Sequence, residues 1–273
     1  MASNLPRPET RSRRRRPIAG VLLIAGLCGA PWVAAFADGC PDPSQDIVTD
    51  RPSVTNSSVV VPTGSLQMEN GINWTAHPGQ DALDGPNTRF RLGIADCTEM
   101  LIDLPDYTGG IDGHGPVGFS DIAPAIKHQF GGLPAGTNLS ATVGLAMPTG
   151  AQAISGSGYN PYLQFPWTQD LGGGWTAGGM MSTTWLTGQP VSETVFQPSF
   201  LIDRQISPHS DVFAEYIGDY QTRGLPGQML NFGGSYRLTQ TQQIDFHAGV
   251  GLNRNSPDYF VGVGYSLRFD GLW

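Results

Sequence analysis

The sequence has no long apolar run beyond its first 37 residues. No stretch there approaches the roughly 20 apolar residues that a helix needs to cross a bilayer. Because backbone polar groups in lipid must be hydrogen-bonded within the protein, a membrane span in this part of the chain would have to be a closed barrel of strands.

Basic residues are also scarce in this part of the chain. Residues 1–37 hold six of the 15 basic residues and one of the 23 acidic residues, which leaves nine basic and 22 acidic side chains and a formal charge near −13. Such a surface repels phosphate backbones, so we expect no nucleic-acid partner.

The motifs of common catalytic and metal sites are missing as well. The sequence contains no HExxH, no GxSxG, no CxxC and no clustered histidines, and its glycine-rich segments are not followed by a helix with the lysine of a phosphate-binding loop. We therefore predict no catalytic, cofactor-binding or metal-binding residues. A triad assembled from distant strands is the enzymatic alternative.

The N-terminus has the three parts of an export signal. Arg11 and the arginines at 13–16 form a basic region, residues 18–27 are apolar, and Ala35-Phe36-Ala37 is a small-x-small cleavage site. We predict cleavage after Ala37, with residues 1–37 as the signal peptide. An uncleaved membrane anchor is the alternative, and Pro31 argues against it.

Two cysteines follow this signal, Cys40 and Cys97. An even number of cysteines in an exported protein favours a disulfide, since the periplasm is oxidising. We predict a Cys40–Cys97 bond, and the alternative is two unpaired thiols.

What the chain does contain is a series of alternating segments. Segments of roughly 10 to 12 residues alternate apolar with polar or small side chains, and Gly, Pro, Asn and Asp separate them, which is typical of a transmembrane barrel. We predict an all-β fold, an antiparallel up-and-down transmembrane β-barrel of about 12 strands. The predicted strands are 65–76, 87–96, 98–107, 119–130, 137–147, 159–169, 174–186, 192–204, 209–220, 228–238, 242–252 and 258–269.

The connections alternate in length. Short turns are predicted at 96–97, 131–136, 171–173, 205–208 and 239–241, and longer glycine-rich loops lie between them. Bacterial barrels keep their short turns on the periplasmic side, so both chain ends are predicted to lie there.

Side-chain parity assigns a face to each residue of a strand. Trp175, Met181 and Trp185 share the predicted lipid-facing parity of their strand, whereas Asp245 and His247 fall on the inner parity of theirs.

Three prolines interrupt this pattern. Pro124, Pro166 and Pro198 fall inside predicted strands, where proline deletes a ladder hydrogen bond. We expect bulges or misplaced strand boundaries at these positions.

Charged side chains on the inner parity are the candidate lumen residues. A charge facing lipid near the bilayer centre would cost roughly 2 to 4 kcal/mol, so inward placement is required before any function is considered. Such residues either form networks that fill and stiffen the barrel or line a constriction that selects small solutes. The lumen-facing candidates are Arg89, Arg91, Glu215, Asp219, Arg237 and Asp245, and Glu69, Asp103, Asp121, Lys127 and Arg268 share their parity.

Residues 38–64 precede the first strand and are rich in Pro, Ser, Thr and Asp. We predict that they form a separate segment, periplasmic or inserted into the lumen, in front of a barrel domain at 65–273. In the inserted arrangement, a Cys40–Cys97 bond would hold the segment near the periplasmic mouth of the barrel.

The chain ends in a strand whose alternate residues Tyr265, Leu267, Phe269, Gly271 and Trp273 share one parity. This ending resembles the signal that the outer-membrane barrel assembly machinery recognises. The predicted partners are this machinery, outer-membrane lipid and an unidentified small solute, and the predicted location is the bacterial outer membrane.

Several motifs between residues 46 and 269 carry a family resemblance. They are Thr49-Asp50-Arg51-Pro52, residues 60–69, residues 91–96 with Thr98-Glu99, residues 118–121, residues 145–150, residues 170–172, and Asn253 with residues 257–262. In these motifs the chain resembles the outer-membrane family described as the putative MetA-pathway of phenol degradation; Pro124 and the extension after Phe269 depart from it. The resemblance implies a barrel with a transport function and leaves the solute open.

Together these features predict a channel or transporter for passive uptake of small molecules, and not an enzyme. The aromatic or hydrophobic character of the solute is implied by the resemblance alone. The alternatives are a structural or adhesive outer-membrane barrel with a plugged lumen, and an exported soluble β-sandwich.

Heat-modifiable migration in a detergent gel separates the barrel from the sandwich. We expect the unheated protein to migrate differently from the boiled one, because a closed barrel keeps its hydrogen-bonded strands in detergent until it is heated. Identical migration before and after boiling would favour the soluble sandwich.

Overall fold

The computed structural model describes residues 39–77, 79–111, 115–131, 133–155, 158–188 and 192–273. The predicted signal peptide, with the next residue Asp38, lies outside them. No helix in the described part of the chain is long and apolar enough to cross a membrane.

The described residues form one antiparallel sheet that closes on itself. It closes because β1 and β15 pair along their whole length, from Leu66↔Phe269 to Ala76↔Tyr259. The strands are β1 (Leu66–Ala76), β2 (Ala82–Gly85), β3 (Arg89–Ala95), β4 (Thr98–Asp103), β5 (Tyr107–Gly110), β6 (Gly118–Phe119), β7 (Ala123–Phe130), β8 (Thr137–Ala146), β9 (Asn160–Gly172), β10 (Trp175–Leu186), β11 (Glu193–Ser207), β12 (Ser210–Gln221), β13 (Gly227–Thr239), β14 (Gln242–Gly251) and β15 (Tyr259–Phe269).

Three positions around the barrel are each occupied by two short strands. At the first position, β2 and β3 both pair with β1. At the second, β5 pairs with β2 and β4 pairs with β3. At the third, β6 pairs with β5 and β7 pairs with β4. The circumference therefore has 12 strands, which confirms the predicted architecture.

These interruptions correct the predicted boundaries, since β2, β5 and β6 were not predicted as separate strands. Side chains supply part of the hydrogen bonding between the halves. Asn87 N–H donates to Asp106 Oδ1 at 3.0 Å, and Asp106 N–H donates to Ser120 Oγ at 2.8 Å. Asn87 also has a positive φ of 46°, which a regular strand does not accommodate.

The expectation of bulges or misplaced strand boundaries at the prolines is wrong for Pro166 and Pro198. β11 and β12 keep one register on both sides of Pro198, from Phe196↔Tyr220 to Ser199↔Ile217, and only the pairs between them are missing. β8 and β9 keep theirs across Pro166 in the same way. The gap is one-sided because the N–H that proline lacks points toward one neighbouring strand only. At Pro124 the boundary does move, since β7 begins at Ala123.

The two faces of the wall have inverted polarity relative to a water-soluble protein. Val143 and Met181 point outward with 60% and 59% of their surface exposed, whereas Arg91 and Lys127 point inward with 0% exposed. Trp175 and Trp185 lie on the outside at the two ends of β10, where interfacial aromatics belong. The predicted face assignment of Asp245 and His247 agrees, because both side chains are buried inside.

The predicted disulfide is present between Cys40 and Cys97. Cys97 occupies the turn between β3 and β4 with a φ of 53°, and Cys40 stands at the start of the described chain. The bond fastens the N-terminal segment to the end of the barrel that has the short turns. Because bacterial barrels keep their short turns on the periplasmic side, this end is here called the periplasmic end.

Thiol labelling tests this bond in protein purified from outer membranes. We expect no labelling of the denatured protein without reductant, and labelling of both cysteines after reduction, because a disulfide leaves no thiol to react. Labelling of both cysteines without reductant would show that the bond does not form.

Candidate functional site

Residues 39–64, here called the plug segment, run inside the barrel. The segment starts at the periplasmic end, where Ile47 N–H donates to Gln240 O at 2.8 Å and Arg268 Nη2 donates to Pro43 O and Gln45 O at 2.9 Å each. It returns to the same end, where Gly64 N–H donates to Gly93 O at 2.9 Å. The plug segment is thus a loop whose two ends lie at the periplasmic end of the barrel and whose tip, residues 51–57, lies deeper in the lumen.

Three glutamates of the wall bind backbone N–H groups of the plug segment. Glu69 accepts from Asp50 N–H at 3.0 and 3.1 Å, and Glu99 accepts from Val61 N–H at 2.7 Å. Glu215 accepts from the N–H groups of residues 54 and 55 at 3.0 and 2.7 Å. An irregular loop has backbone donors with no ladder to satisfy them, and charged acceptors make stronger hydrogen bonds than neutral ones. The carboxylates therefore fix the path of the loop.

Asp50 lies at the centre of a buried charge cluster. Its carboxylate is 2.8 Å from Arg89 Nη1, 3.4 Å from Arg91 Nη1 and 3.4 Å from Lys127 Nζ. Burial alone would raise the pKa of Asp50, but the three cations outweigh burial and hold the pKa well below its usual range. Asp50 therefore stays ionised and links the plug segment to two strands, β3 and β7.

Arg91 connects this cluster to the glutamates. Its guanidinium is 3.0 Å from Glu99 Oε1 and 3.1 Å from Glu69 Oε1, and it donates to Val59 O of the plug segment at 2.8 Å. All of its partners are inside the barrel, and Arg91 itself is fully buried.

The six lumen-facing candidates occupy different parts of the interior. Arg89 and Arg91 belong to the charge cluster, while Glu215 and Asp245 contact the tip of the plug segment. Arg237 pairs with Asp46 at 3.1 Å near the periplasmic end.

Asp219 lies apart from these contacts, opposite Gly227 in the β12–β13 ladder. Its Oδ1 atom is buried without a hydrogen-bond partner.

Sequence reasoning did not place Asp50, Arg51 or Glu99 among the candidates. Glu99 shares its parity with Asp103 in β4, so the alternation contained the signal for it. Asp50 and Arg51 lie in an irregular segment, where no periodicity indicates which way a side chain points.

Two cavities flank the tip of the plug segment. One, of about 350 Å³, lies on the side away from the periplasmic turns and is lined by Asp50, Arg89, Asp103, Asp106 and Asp121, among others. The other, of about 260 Å³, lies toward the periplasmic turns and includes the apolar side chains Ile47, Leu201 and Phe213. No group of three or more His, Cys, Asp or Glu side chains in the described ranges is arranged to hold a metal ion.

Comparison with known proteins gives a family match and similar barrels. The model of the family described as "Putative MetA-pathway of phenol degradation" matches residues 49–269. No curated protein matches the sequence.

Two solved structures share the fold at low sequence identity. The COG4313 outer membrane channel from Pseudomonas putida F1 superimposes with a TM-score of 0.58 at 12% identity, covering 77% of this chain and 97% of that one. The NanC porin superimposes with a TM-score of 0.54 at 10% identity, covering 74% of this chain and 98% of that one.

Replacing Arg91 tests the importance of the charge cluster for stability. We expect Arg91→Met to lower the free energy of unfolding by about 3 to 5 kcal/mol, because it leaves Glu69, Glu99 and Asp50 buried with too little positive charge. Urea unfolding of the protein in lipid vesicles measures the change.

Arg254→Met is the matched control, since Arg254 is exposed and the same charge is removed there. Equal stability of the two variants would show that the cluster contributes nothing specific.

Proposed function

The chain belongs to the family described as the putative MetA-pathway of phenol degradation, and on this basis we propose that it is an outer-membrane channel for passive uptake of small aromatic or hydrophobic molecules. The observation that carries the proposal is the hollow space on both sides of the plug tip, about 350 Å³ and 260 Å³ in volume. Small-molecule sites are typically concave spaces near this size that combine apolar walls with a few polar groups.

The lining of the cavity toward the periplasmic turns fits such a solute. Ile47, Leu201 and Phe213 supply apolar surface, and Ser235 and Gln243 supply hydrogen-bonding groups beside it. An aromatic ring with one polar substituent is matched by this combination.

Passage requires the plug segment to move, and its attachment is compatible with movement. Side-chain hydrogen bonds and ion pairs hold residues 50–61, whereas the end of the segment meets the sheet through the isolated bridge Thr63↔Gly93. Segments without a continuous ladder open at lower free energy than the sheet around them. The tip can therefore shift while the wall stays closed and the disulfide keeps the segment attached.

The histidine surroundings favour a channel over an enzyme. The His247 ring is hydrogen-bonded to the Asn231 side chain at 3.3 Å and to the Asn73 side chain at 3.1 Å. The His128 ring is hydrogen-bonded to the Thr98 hydroxyl at 3.0 Å. Neither ring stands between a serine and a carboxylate, which is the arrangement that a serine nucleophile needs.

The outer surface supports location in the bacterial outer membrane. Phe269 and Trp273 at the C-terminus are exposed, and Phe269 belongs to the strand that closes the barrel. We propose that lipid surrounds this surface and that the assembly machinery recognises the C-terminal strand.

Single-channel recording in planar bilayers tests the function. We expect protein purified from outer membranes to show discrete openings, and added phenol to block the current more than an equal concentration of glycerol does, because the ring would occupy the cavities.

Asp245→Asn should increase the conductance, since a neutral amide binds the Arg51 guanidinium of the plug segment less strongly than the carboxylate does. Glu193→Gln, which removes a charge away from the plug segment, is its control. If neither the folded wild type nor the folded variant carries current, the structural barrel with a plugged lumen is favoured.

A further inference from the structure

The tip of the plug segment separates the two cavities, and three of its residues line both. Arg51, Ser53 and Asn56 face the cavity near the periplasmic turns on one side and the opposite cavity on the other. A solute that crosses the barrel must pass these residues, so the tip is the partition of the lumen.

The partition is fastened firmly on one side. Glu215 accepts hydrogen bonds from residues 54 and 55 at distances between 2.7 and 3.0 Å, and Asn56 Nδ2 donates to Gln164 Oε1 at 2.9 Å. These contacts attach the tip to β9 and β12.

The opposite side of the partition is held more weakly. Arg51 Nη2 donates to Asp245 Oδ1 and to Val263 O, both at 3.3 Å. Arg51 Nε and Asp245 Oδ2 are buried without hydrogen-bond partners. Carboxylates commonly bind arginine through two parallel hydrogen bonds, whereas Arg51 and Asp245 share one.

Two glycines make room for the Arg51 side chain. Gly71 of β1 and Gly264 of β15 are directly paired across the seam that closes the barrel. A Cβ atom added at Gly71 would overlap the guanidinium carbon of Arg51, and one added at Gly264 would overlap Nε. The guanidinium thus lies in a recess that exists only because both positions lack a side chain.

We propose that the Arg51–Asp245 contact is the gate of the barrel, and that Arg51 is the residue that selects solutes by charge. At this contact the tip parts from β14 and β15 and joins the two cavities. The inference rests on the proposed channel function. It adds the place where the path opens and the property of the solute, its charge, that decides passage.

The charges on the path indicate which solutes cross. The cavity away from the periplasmic turns has five carboxylates in its lining against the cations Arg51 and Arg89, and the cavity toward the periplasmic turns has Asp203 and Asp211 against Arg51 and Arg237. Together these linings disfavour anions. The five carboxylates are Asp50, Glu69, Asp103, Asp106 and Asp121. Arg51 at the partition disfavours cations. Uncharged molecules meet neither barrier.

Two kinds of variant test the gate. Arg51→Gln removes the charge and the contact, while Gly264→Ala keeps the charge but fills the recess. We expect both to raise single-channel conductance several-fold, because both separate the tip from Asp245. Reversal potentials in a KCl gradient should shift toward stronger cation selectivity for Arg51→Gln and much less for Gly264→Ala.

Matched controls alter a similar contact elsewhere. Gln164→Ala removes a hydrogen bond on the firm side of the tip, and Gly227→Ala adds a Cβ where the nearest atoms are at 3.4 Å or more. Both should stay within twofold of the wild-type conductance. Heat-modifiable migration checks that every variant is assembled, and Gly71→Ala replaces Gly264→Ala if the latter does not assemble.

The outcomes separate the gate from the channel function. If the wild type conducts and neither Arg51→Gln nor the glycine variant changes the current, the gate is elsewhere and the channel function stands. If Gln164→Ala raises conductance as much as Arg51→Gln, the whole plug segment moves and the gate assignment is wrong. If no assembled variant conducts, the channel function fails, and the gate fails with it.

Discussion

Asp50 and the three cations around it hold the interior of this barrel together. Arg89, Arg91 and Lys127 come from the wall, and each would be costly to bury without a nearby negative charge. Asp50 comes from the plug segment, so the wall cations and the plug segment satisfy each other. The position of the loop between its two periplasmic ends depends on this cluster and on the glutamates that bind its backbone.

The interior is therefore uneven in strength. At Asp50 and Glu215 the plug segment makes charge-assisted hydrogen bonds as short as 2.8 and 2.7 Å, while at Arg51 its two contacts with the wall are both 3.3 Å. A loop attached in this way moves first at its weakest contact, with little effect on the sheet. Firm anchoring and local freedom can coexist because the wall hydrogen bonds are independent of those that hold the tip.

Most of the wall could be predicted from the sequence. Alternation of period two placed Glu215 and Asp245 inside, and an even cysteine count indicated the Cys40–Cys97 bond. The interruptions near Asn87 and Asp106 were not predictable by the same route, because they depend on side chains that bond to the backbone of a neighbouring strand. Gly71 and Gly264 looked like ordinary strand glycines until the register paired them under Arg51.

The sequence by itself determined the closed barrel, its polarity and the identity of the family, because strand periodicity and the exclusion of charge from lipid act residue by residue along the chain. Only the tertiary structure decided what Asp50 and Arg51 do. An irregular segment has no period that fixes the direction of its side chains, so their partners, 39 residues away at Arg89 and 194 residues away at Asp245, are set by the closure of the sheet around them.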